Sequence, residues 1–221
     1  MKKNTFLGFG FAVIAIGMVS CGKSTTGKIA NNWTVVSSEE NRTSLQSNGD
    51  KDYTHTSFTE TTISTHHEQT SSGVTTIQES SGKVSANTIN IKKDGTWIWN
   101  KEWYYEGEQN GMLLHTDIKT IQSGTWNFVA KTKGDDFKKN ERIALNVLKE
   151  SNSVFQKQDQ VLVSSNGSET TFAAGGNMWI YTIVKSKNKE LELELEGNYQ
   201  RTVDGETVSS DMVQSMSLKE K

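Results

Sequence analysis

Hydrophobic and polar residues alternate with a period of two along much of this chain. In residues 190–196, three leucines alternate with four glutamates, which predicts a strand with one buried and one solvated face. A helix would scatter the same leucines around its axis. Comparable patterns predict further strands at residues 33–36, 84–91, 120–129, 177–184 and 211–218. Residues 142–148 fit a strand or a helix, and the alternation of Ile143, Leu145 and Val147 favours the strand.

Dipeptides that tolerate a positive φ separate these segments. They are Asn48-Gly49, Asp94-Gly95, Asn110-Gly111, Asn166-Gly167 and Asp204-Gly205. Such pairs are favoured in the two-residue turns of β-hairpins. Short strands joined by local hairpins form an up-and-down meander, which loses its exposed edges when it closes. We therefore predict an all-β fold, an antiparallel up-and-down β-barrel of about eight strands, with a sandwich as the alternative.

Residues 37–82 carry few apolar side chains and are dominated by Ser, Thr, Glu, Gln and His. Because Thr favours strands, residues 53–65 and 74–79 are predicted to form long, exposed hairpin strands. The low hydrophobicity of this stretch also fits disorder, which is the alternative interpretation.

The first 20 residues have the pattern of an export signal. Lys2 and Lys3 precede a run of 14 uncharged residues, 6–19, which is too short to cross a hydrocarbon core of ~30 Å. This charge and length match the central region of a secretory signal peptide. The single cysteine of the chain, Cys21, follows the small residue Ser20.

The segment Met18-Val19-Ser20-Cys21 resembles the lipobox of bacterial lipoproteins. The resemblance implies that residues 1–20 are a lipoprotein signal peptide. It also implies that Cys21 becomes the first mature residue, with a diacylglyceryl thioether and an amide-linked acyl chain. Two or three acyl chains hold a protein stably on a membrane, so Cys21 is the expected lipidation site and the membrane an expected partner. Residues 21–28 are then the tether and residues 29–221 the barrel domain. An ordinary secretory signal with a coincidental cysteine is the alternative.

Short motifs recur around the tryptophans: Trp33, Asp94-Gly95-Thr96-Trp97, Gly124-Thr125-Trp126-Asn127-Phe128 and Lys139-Asn140-Glu141-Arg142-Ile143. Their order resembles that of the lipocalin-like lipoproteins of Bacteroidetes-type bacteria, over most of residues 27–221. The chain departs from that family at its first strand, because Gly27 lies six residues before Trp33 rather than two. The resemblance implies an antiparallel barrel that can enclose a cavity. It also implies a place in the cell envelope, most naturally the outer membrane, with the periplasmic and surface faces both open. It implies no catalytic residues.

Composition and charge exclude several classes of function. The formal net charge is −2 at pH 7, so there is no basic excess to bind a nucleic-acid backbone. One cysteine cannot form an intrachain disulfide or a cysteine-rich zinc site. The adjacent His66 and His67 point to opposite faces of a strand and cannot both ligate one metal ion. We therefore expect no metal, no other cofactor and no nucleic-acid partner.

Catalytic motifs are missing from the sequence. It contains no nucleophile elbow, phosphate-binding loop or zincin motif. The acidic pairs Glu39-Glu40 and Asp135-Asp136 have polar neighbours that are typical of solvated loops. We therefore expect no enzymatic activity.

The densest aromatic cluster lies on one predicted strand, where Trp97, Trp99, Trp103 and Tyr105 share a face with Lys101 between them. These rings either fill the barrel core or line a cavity within it. The candidate residues for the wall of such a cavity are Trp33, Trp97, Trp99, Trp126, Phe128 and Trp179.

Three functional hypotheses follow from these observations. In the first, a lipid-anchored barrel binds a small apolar or amphipathic molecule. In the second, the barrel has a filled core and is a structural or interaction module of the envelope, whose protein partner the sequence does not identify. In the third, an aromatic strip on a sandwich binds carbohydrate. A cavity above ~300 Å³ favours the first hypothesis, a filled interior the second, and an exposed aromatic strip the third.

Overall fold

A computed structural model describes residues 25–46, 48–109, 111–129, 141–187, 189–203 and 206–221. The predicted signal peptide, Cys21, Asp135-Asp136 and the Asp204-Gly205 turn lie outside these residues. The elements are a short helix and eleven strands: α1 Thr25–Ile29, β1 Asn32–Gln46, β2 Lys51–Thr59, β3 Thr62–Ser71, β4 Val74–Ile91, β5 Thr96–Gln109, β6 Met112–Val129, β7 Arg142–Gln158, β8 Val161–Thr171, β9 Met178–Lys187, β10 Glu190–Val203 and β11 Glu206–Glu220.

The strands form a closed antiparallel barrel, which confirms the predicted fold class. Ten strands follow one another around the ring in the order β1-β2-β3-β4-β5-β6-β7-β9-β10-β11, and β11 pairs back with β1. The remaining strand, β8, pairs with β7 and lies outside the ring. The count is slightly above the eight expected, because the Ser- and Thr-rich segment contributes the additional strands β2 and β3.

The two ends of the barrel differ in circumference. At one end, Asn32–Thr34 of β1 pair directly with Thr88–Asn90 of β4, so eight strands surround this part of the ring. From Ser37 onward, β2 takes the place beside β1 and β3 the place beside β4. We call the eight-stranded part the closed end and the part that includes β2 and β3 the open end.

The hydrophobic core fills the closed end. Its largest fully buried side chains are Trp33, Tyr181, Ile29, Ile89, Ile91, Ile143, Leu145, Leu191, Leu193, Met216, Leu218 and Val35. Helix α1 contributes Ile29 to this core, and its backbone carbonyl accepts a hydrogen bond of 2.8 Å from Trp33 Nε1. The alternating leucines of residues 190–196 are buried as predicted.

The segments whose structure was ambiguous in the sequence are strands. Residues 142–148 belong to β7, which confirms the strand interpretation. Within residues 37–82, the described residues form the later part of β1, then β2, β3 and the first part of β4. The predicted strand at residues 53–65 is divided by a turn between Thr59 and Thr62. Glu39-Glu40 is in β1, so its prediction as a solvated loop is wrong.

Three of the predicted hairpin glycines occupy turns. Gly49, Gly95 and Gly111 have φ values of 88°, 86° and 75° between consecutive strands. The predicted turn at Asn166-Gly167 is wrong, because both residues pair with β7 inside β8. The turn between β7 and β8 is instead Asp159-Gln160, with φ values of 46° and 70°. The β7–β8 turn is therefore formed by a residue pair without glycine, and not by the Asn-Gly dipeptide that was predicted to form a turn.

The two Gly-Thr-Trp motifs lie side by side at the closed end. Trp97 of β5 pairs with Gly124 of β6. A Cβ atom on Gly124 would lie 1.8 Å from the Asn146 backbone oxygen, a distance that no side chain tolerates. Gly124 therefore allows β6 and β7 to approach closely beside the Trp97 ring.

Candidate functional site

Most of the predicted cavity-wall residues are packed inside the closed end. Trp33, Trp97, Trp99 and Trp126 are between 2% and 7% exposed and belong to one core cluster, against which Phe128 and Trp179 pack. Their indole N–H groups have protein acceptors. Trp97 donates to the Thr125 oxygen at 3.0 Å, Trp126 to the Lys92 oxygen at 2.8 Å and Trp99 to Asn87 Oδ1 at 2.7 Å. These four rings therefore pack in the core and do not line a cavity inside it.

A cavity of about 750 Å³ lies where the ring widens, beside β10. Its lining comes from the segment between β8 and β9, from β9 and β10, and from the inward faces of β1 and β11. Trp179 is the predicted wall residue that lines it. A cleft of about 450 Å³ beside α1 is smaller and is lined largely by lysine and glutamate side chains.

The cavity wall has an apolar part and one cation that faces the interior. Phe172, Trp179, Leu195 and Met212 line it, and the last two are 5% and 7% exposed. Arg42 of β1 reaches the same space and donates from Nη2 to the Met212 sulfur at 3.5 Å. Asn177, Glu196 and Asn198 also line the cavity, and a wall that combines apolar side chains with a few polar and charged groups is typical of small-molecule pockets.

Behind Arg42, a layer of polar side chains crosses the barrel interior above the hydrophobic core. Arg42 Nη2 donates to Glu40 Oε1 at 3.2 Å, and Gln214 Nε2 donates to Glu40 Oε2 at 3.2 Å. The Tyr181 hydroxyl donates to Gln214 Oε1 at 2.7 Å. Burial raises the pKa of Tyr181, with a further contribution from the Glu40 charge. The tyrosine therefore remains a neutral hydrogen-bond donor at physiological pH.

A second acid, Glu150 of β7, belongs to the same layer. Gln122 Nε2 donates to its Oε2 at 2.6 Å, and Asn152 Nδ2 donates to its Oε1 at 2.9 Å. The Thr120 hydroxyl fixes Asn152 through a hydrogen bond of 2.7 Å. Neutral amides, rather than a cation, thus satisfy this carboxylate.

Lys101 of β5 is the second cation of the layer. Its ammonium lies 4.5 Å from the centre of the Trp99 ring, and none of the ion pairs between described residues includes it. Burial lowers the pKa of Lys101, and the charges of Glu40 and Glu150 oppose this shift. A cation without a direct counter-ion therefore faces the interior, directly above the packed tryptophans.

The sequence pattern missed Arg42 and Glu40 for a specific reason. Trp33 and Val35 point inward, and strict alternation would place residues 37, 39 and 41 on the same face. A register shift between Val35 and Ser37 reverses the alternation, so Ser38, Glu40 and Arg42 face the interior instead. A β-bulge of this kind leaves no clear signal in a sequence of polar residues.

The histidines lie away from the polar layer. His66 contacts Glu79, whereas His67 Nε2 lies 3.1 Å from Asp52 Oδ2, so the two adjacent rings have different partners as their opposite orientation requires. Within the described parts of the chain, no group of three or more His, Cys, Asp or Glu residues could hold a metal ion. None of the helices formed by the described residues has the length and hydrophobicity to span a membrane.

Comparison with known proteins gives no relative: no family model, curated protein or solved structure matches this chain.

Proposed function

We propose that the protein is a lipocalin-like lipoprotein of the bacterial cell envelope that binds a small amphipathic ligand in the cavity beside β10. Cys21 carries the lipid and anchors the chain to the outer membrane. The barrel then presents its cavity to the periplasm or to the cell surface. The protein acts by binding, without catalysis.

The cavity is the observation that supports this function most strongly. Its volume of about 750 Å³ falls within the ~300–1,000 Å³ of small-molecule pockets. The wall is apolar at Phe172, Trp179 and Leu195, and charged at Arg42 and Glu196. A ligand with an apolar body and a polar group fits this division better than a wholly apolar one.

The hydrogen bonds of the two interior carboxylates, Glu40 and Glu150, support the proposal that the protein has no catalytic activity. Glu40 and Glu150 each accept two hydrogen bonds from neighbouring side chains. A general base needs a lone pair directed at a substrate proton, whereas these carboxylates are directed at protein donors.

The lipid anchor is tested by the substitution Cys21→Ser in the full-length chain. We expect the wild-type protein to partition with membranes and to incorporate labelled palmitate, and the variant to do neither. Membrane association of the variant equal to that of the wild type would contradict the anchor. The barrel proposal would stand in that case, since it depends on other residues.

The cavity is tested by native mass spectrometry of residues 22–221, purified gently from a bacterial host. We expect an added mass that is lost on denaturation. Gly197 lines the cavity, and a Cβ atom there would lie at an ordinary 3.8 Å from Leu195 Cδ2. Gly197→Phe should therefore fill the cavity and abolish the added mass. Gly107→Phe is the matched control, because open space surrounds Gly107.

A free strand edge favours a second candidate function, that of a protein-interaction module. Among the described strands, β8 pairs with β7 alone, and all of its residues are exposed, including Val161, Leu162 and Val163. Exposed apolar edges pair with strands of other chains. Light scattering of the purified protein tests this candidate: self-association that Val163→Lys abolishes would support it, and a monomer at high concentration would count against pairing between copies.

A further inference from the structure

Hydrogen-bond donors without partners accumulate in the open end of the barrel. Among the described residues, the buried donors Arg42 Nε, Asn87 Nδ2 and Trp103 Nε1 have no hydrogen-bond partner. The ammonium of Lys101 adds a charged group that has an aromatic ring beside it but no ion-pair partner. In the described part of the chain, Asn100 Oδ1 is the one buried side-chain acceptor without a partner. Buried polar groups without partners are rare and costly in folded proteins.

The acceptor atoms of the polar layer each have a protein donor. Both oxygens of Glu40 accept hydrogen bonds, as do both oxygens of Glu150. Asn87 Oδ1 accepts from Trp99, and Gln214 Oε1 accepts from Tyr181. Among its described residues, the layer therefore has free donors but no buried acceptor atom without a protein donor, so a ligand that brings acceptor atoms matches it better than a ligand that brings donors.

The charges of the layer set the charge of that ligand. The two cations of the layer, Arg42 and Lys101, balance its two carboxylates, Glu40 and Glu150, in formal charge. Arg42 is paired with Glu40 at 3.2 Å, whereas Glu150 is held by neutral amides, so Lys101 is the cation of the layer that has no ion-pair contact. A single carboxylate would supply that contact with the smallest added charge. A dianion such as a phosphate monoester would add a second negative charge close to Glu40 and Glu150, whose fields already act on Lys101.

Arg42 connects the polar layer with the cavity. Its side chain lines the 750 Å³ space, and its Nη2 contacts both Glu40 and Met212. We propose that the barrel binds an amphiphile with a single carboxylate head group, which Lys101 and Arg42 Nε receive while the hydrocarbon tail lies against Phe172, Leu195 and Met212. This inference rests on the proposed ligand-binding function and specifies the chemistry of the ligand.

A matched pair of probes tests the head group. The fluorescent 11-(dansylamino)undecanoic acid and its methyl ester have the same tail and differ in the charge of the head. In fluorescence titrations of the barrel at neutral pH, we expect the acid to bind at least about 10-fold more tightly than the ester, as for a charge-assisted hydrogen bond. Lys101→Met should remove this preference and leave the affinity for the ester unchanged, whereas Lys101→Arg should retain the preference.

Lys119→Met is the control for loss of a lysine, because Lys119 forms an ion pair of 2.6 Å with Glu102 on the outer face. It should leave both affinities unchanged. Equal affinity of the wild type for acid and ester would overturn the head-group proposal and leave ligand binding standing. Loss of both affinities in Lys101→Met, with the circular dichroism spectrum retained, would also overturn it. If the wild type binds neither probe, both the head-group proposal and the proposed binding of amphiphiles with a hydrocarbon chain are overturned.

Discussion

The closed and open ends of this barrel are built from the same strands and differ in what their inward faces carry. At the closed end, aliphatic and tryptophan side chains fill the interior, and the N–H groups of Trp33, Trp97 and Trp126 donate to backbone oxygens. At the open end, charged and amide side chains face inward, and several donors have no partner. The closed end is thus optimised for stability, whereas the open end retains unsatisfied groups that a ligand can use.

Strand β5 shows the transition within a few residues. Trp97 and Trp99 are 3% and 4% exposed, while Lys101 and Trp103, on the same face, are half-buried. The backbone alternation is unchanged along this strand, so the change in environment comes from the side chains and from the wider ring around them. Separating a rigid scaffold from a binding region in this way is common in proteins that bind ligands.

The largest expected effect comes from removing a tryptophan at the closed end. Trp33 is 2% exposed and bonds to α1, so Trp33→Ala should lower the free energy of unfolding by about 3–5 kcal/mol. Trp103→Ala removes the same ring at the open end, where it is half-buried and contacts Phe58 edge-on, and should cost about 1 kcal/mol. Urea denaturation of both variants measures the difference. Equal losses would contradict the distinction between the two ends.

Two glycine substitutions test the same difference between the closed end and the open end. Gly124→Ala places a Cβ atom against the Asn146 backbone oxygen at the closed end and should cost about 3 kcal/mol, at the upper end for overpacking. Gly107→Ala, towards the open end of β5, meets open space and should be neutral or slightly stabilising. Thermal denaturation of the pair provides the test, and a tolerated Gly124→Ala would show that β6 and β7 can separate without loss.

Lys101→Met should stabilise the barrel by about 1 kcal/mol at pH 7, because it removes a half-buried charge that has no ion-pair partner. Burial lowers the folded-state pKa of Lys101 below its ordinary value of 10.5. Between these two values the unfolded chain binds more protons than the folded chain, so the stability of the wild type rises with pH. The advantage of the variant should therefore shrink between pH 7 and pH 10.

Urea denaturation of wild type and Lys101→Met at several pH values measures this difference. A gap that does not change with pH would show that the charge of Lys101 is not what destabilises the wild type, and a destabilised variant would show that Lys101 stabilises the free protein. Either result would contradict a costly, unpaired charge at Lys101. Lys119→Met, on the outer face, should show no comparable gain.

The smallest expected effect is at the tip of the β7–β8 hairpin, on the open side. Gln160 has a φ of 70°, which strains a residue with a Cβ atom. Gln160→Gly should stabilise the protein by about 0.5 kcal/mol after the entropy of the unfolded glycine is counted. The same change at Gln158, which is paired within β7, should instead destabilise it by a similar amount. Differential scanning calorimetry can resolve the opposite signs.

The closed end could be predicted from the sequence more fully than the open end. Alternation of leucine with glutamate in β10 specifies which face is buried, and the Asp94-Gly95 turn specifies the β4–β5 hairpin. Both signals arise because apolar burial and positive φ restrict the residues allowed. The number of strands was harder to predict, since β2 and β3 contain few apolar residues and their pairing depends on tertiary contacts.

The residues of the candidate site could not be predicted from the sequence pattern. Lys101 was visible between tryptophans, but its partners on β1 were hidden by the register shift after Val35. Glu150 and Gln122 meet through the pairing of β6 with β7, a contact between residues 28 positions apart. Aromatic residues were the strongest signal for a cavity wall, and the structure uses most of them to fill the core.

Hydrogen–deuterium exchange of the barrel, with and without 11-(dansylamino)undecanoic acid, tests the division between the two ends most directly. We predict the slowest exchange in residues 89–91, 143–147 and 216–218, unaffected by the probe. Added protection should fall in residues 40–44 and 99–103, which surround the proposed head-group site, and beside the tail contacts Phe172, Leu195 and Met212. Protection at the closed end, or none at the open end while the probe is bound, would contradict the assignment of binding to the open end.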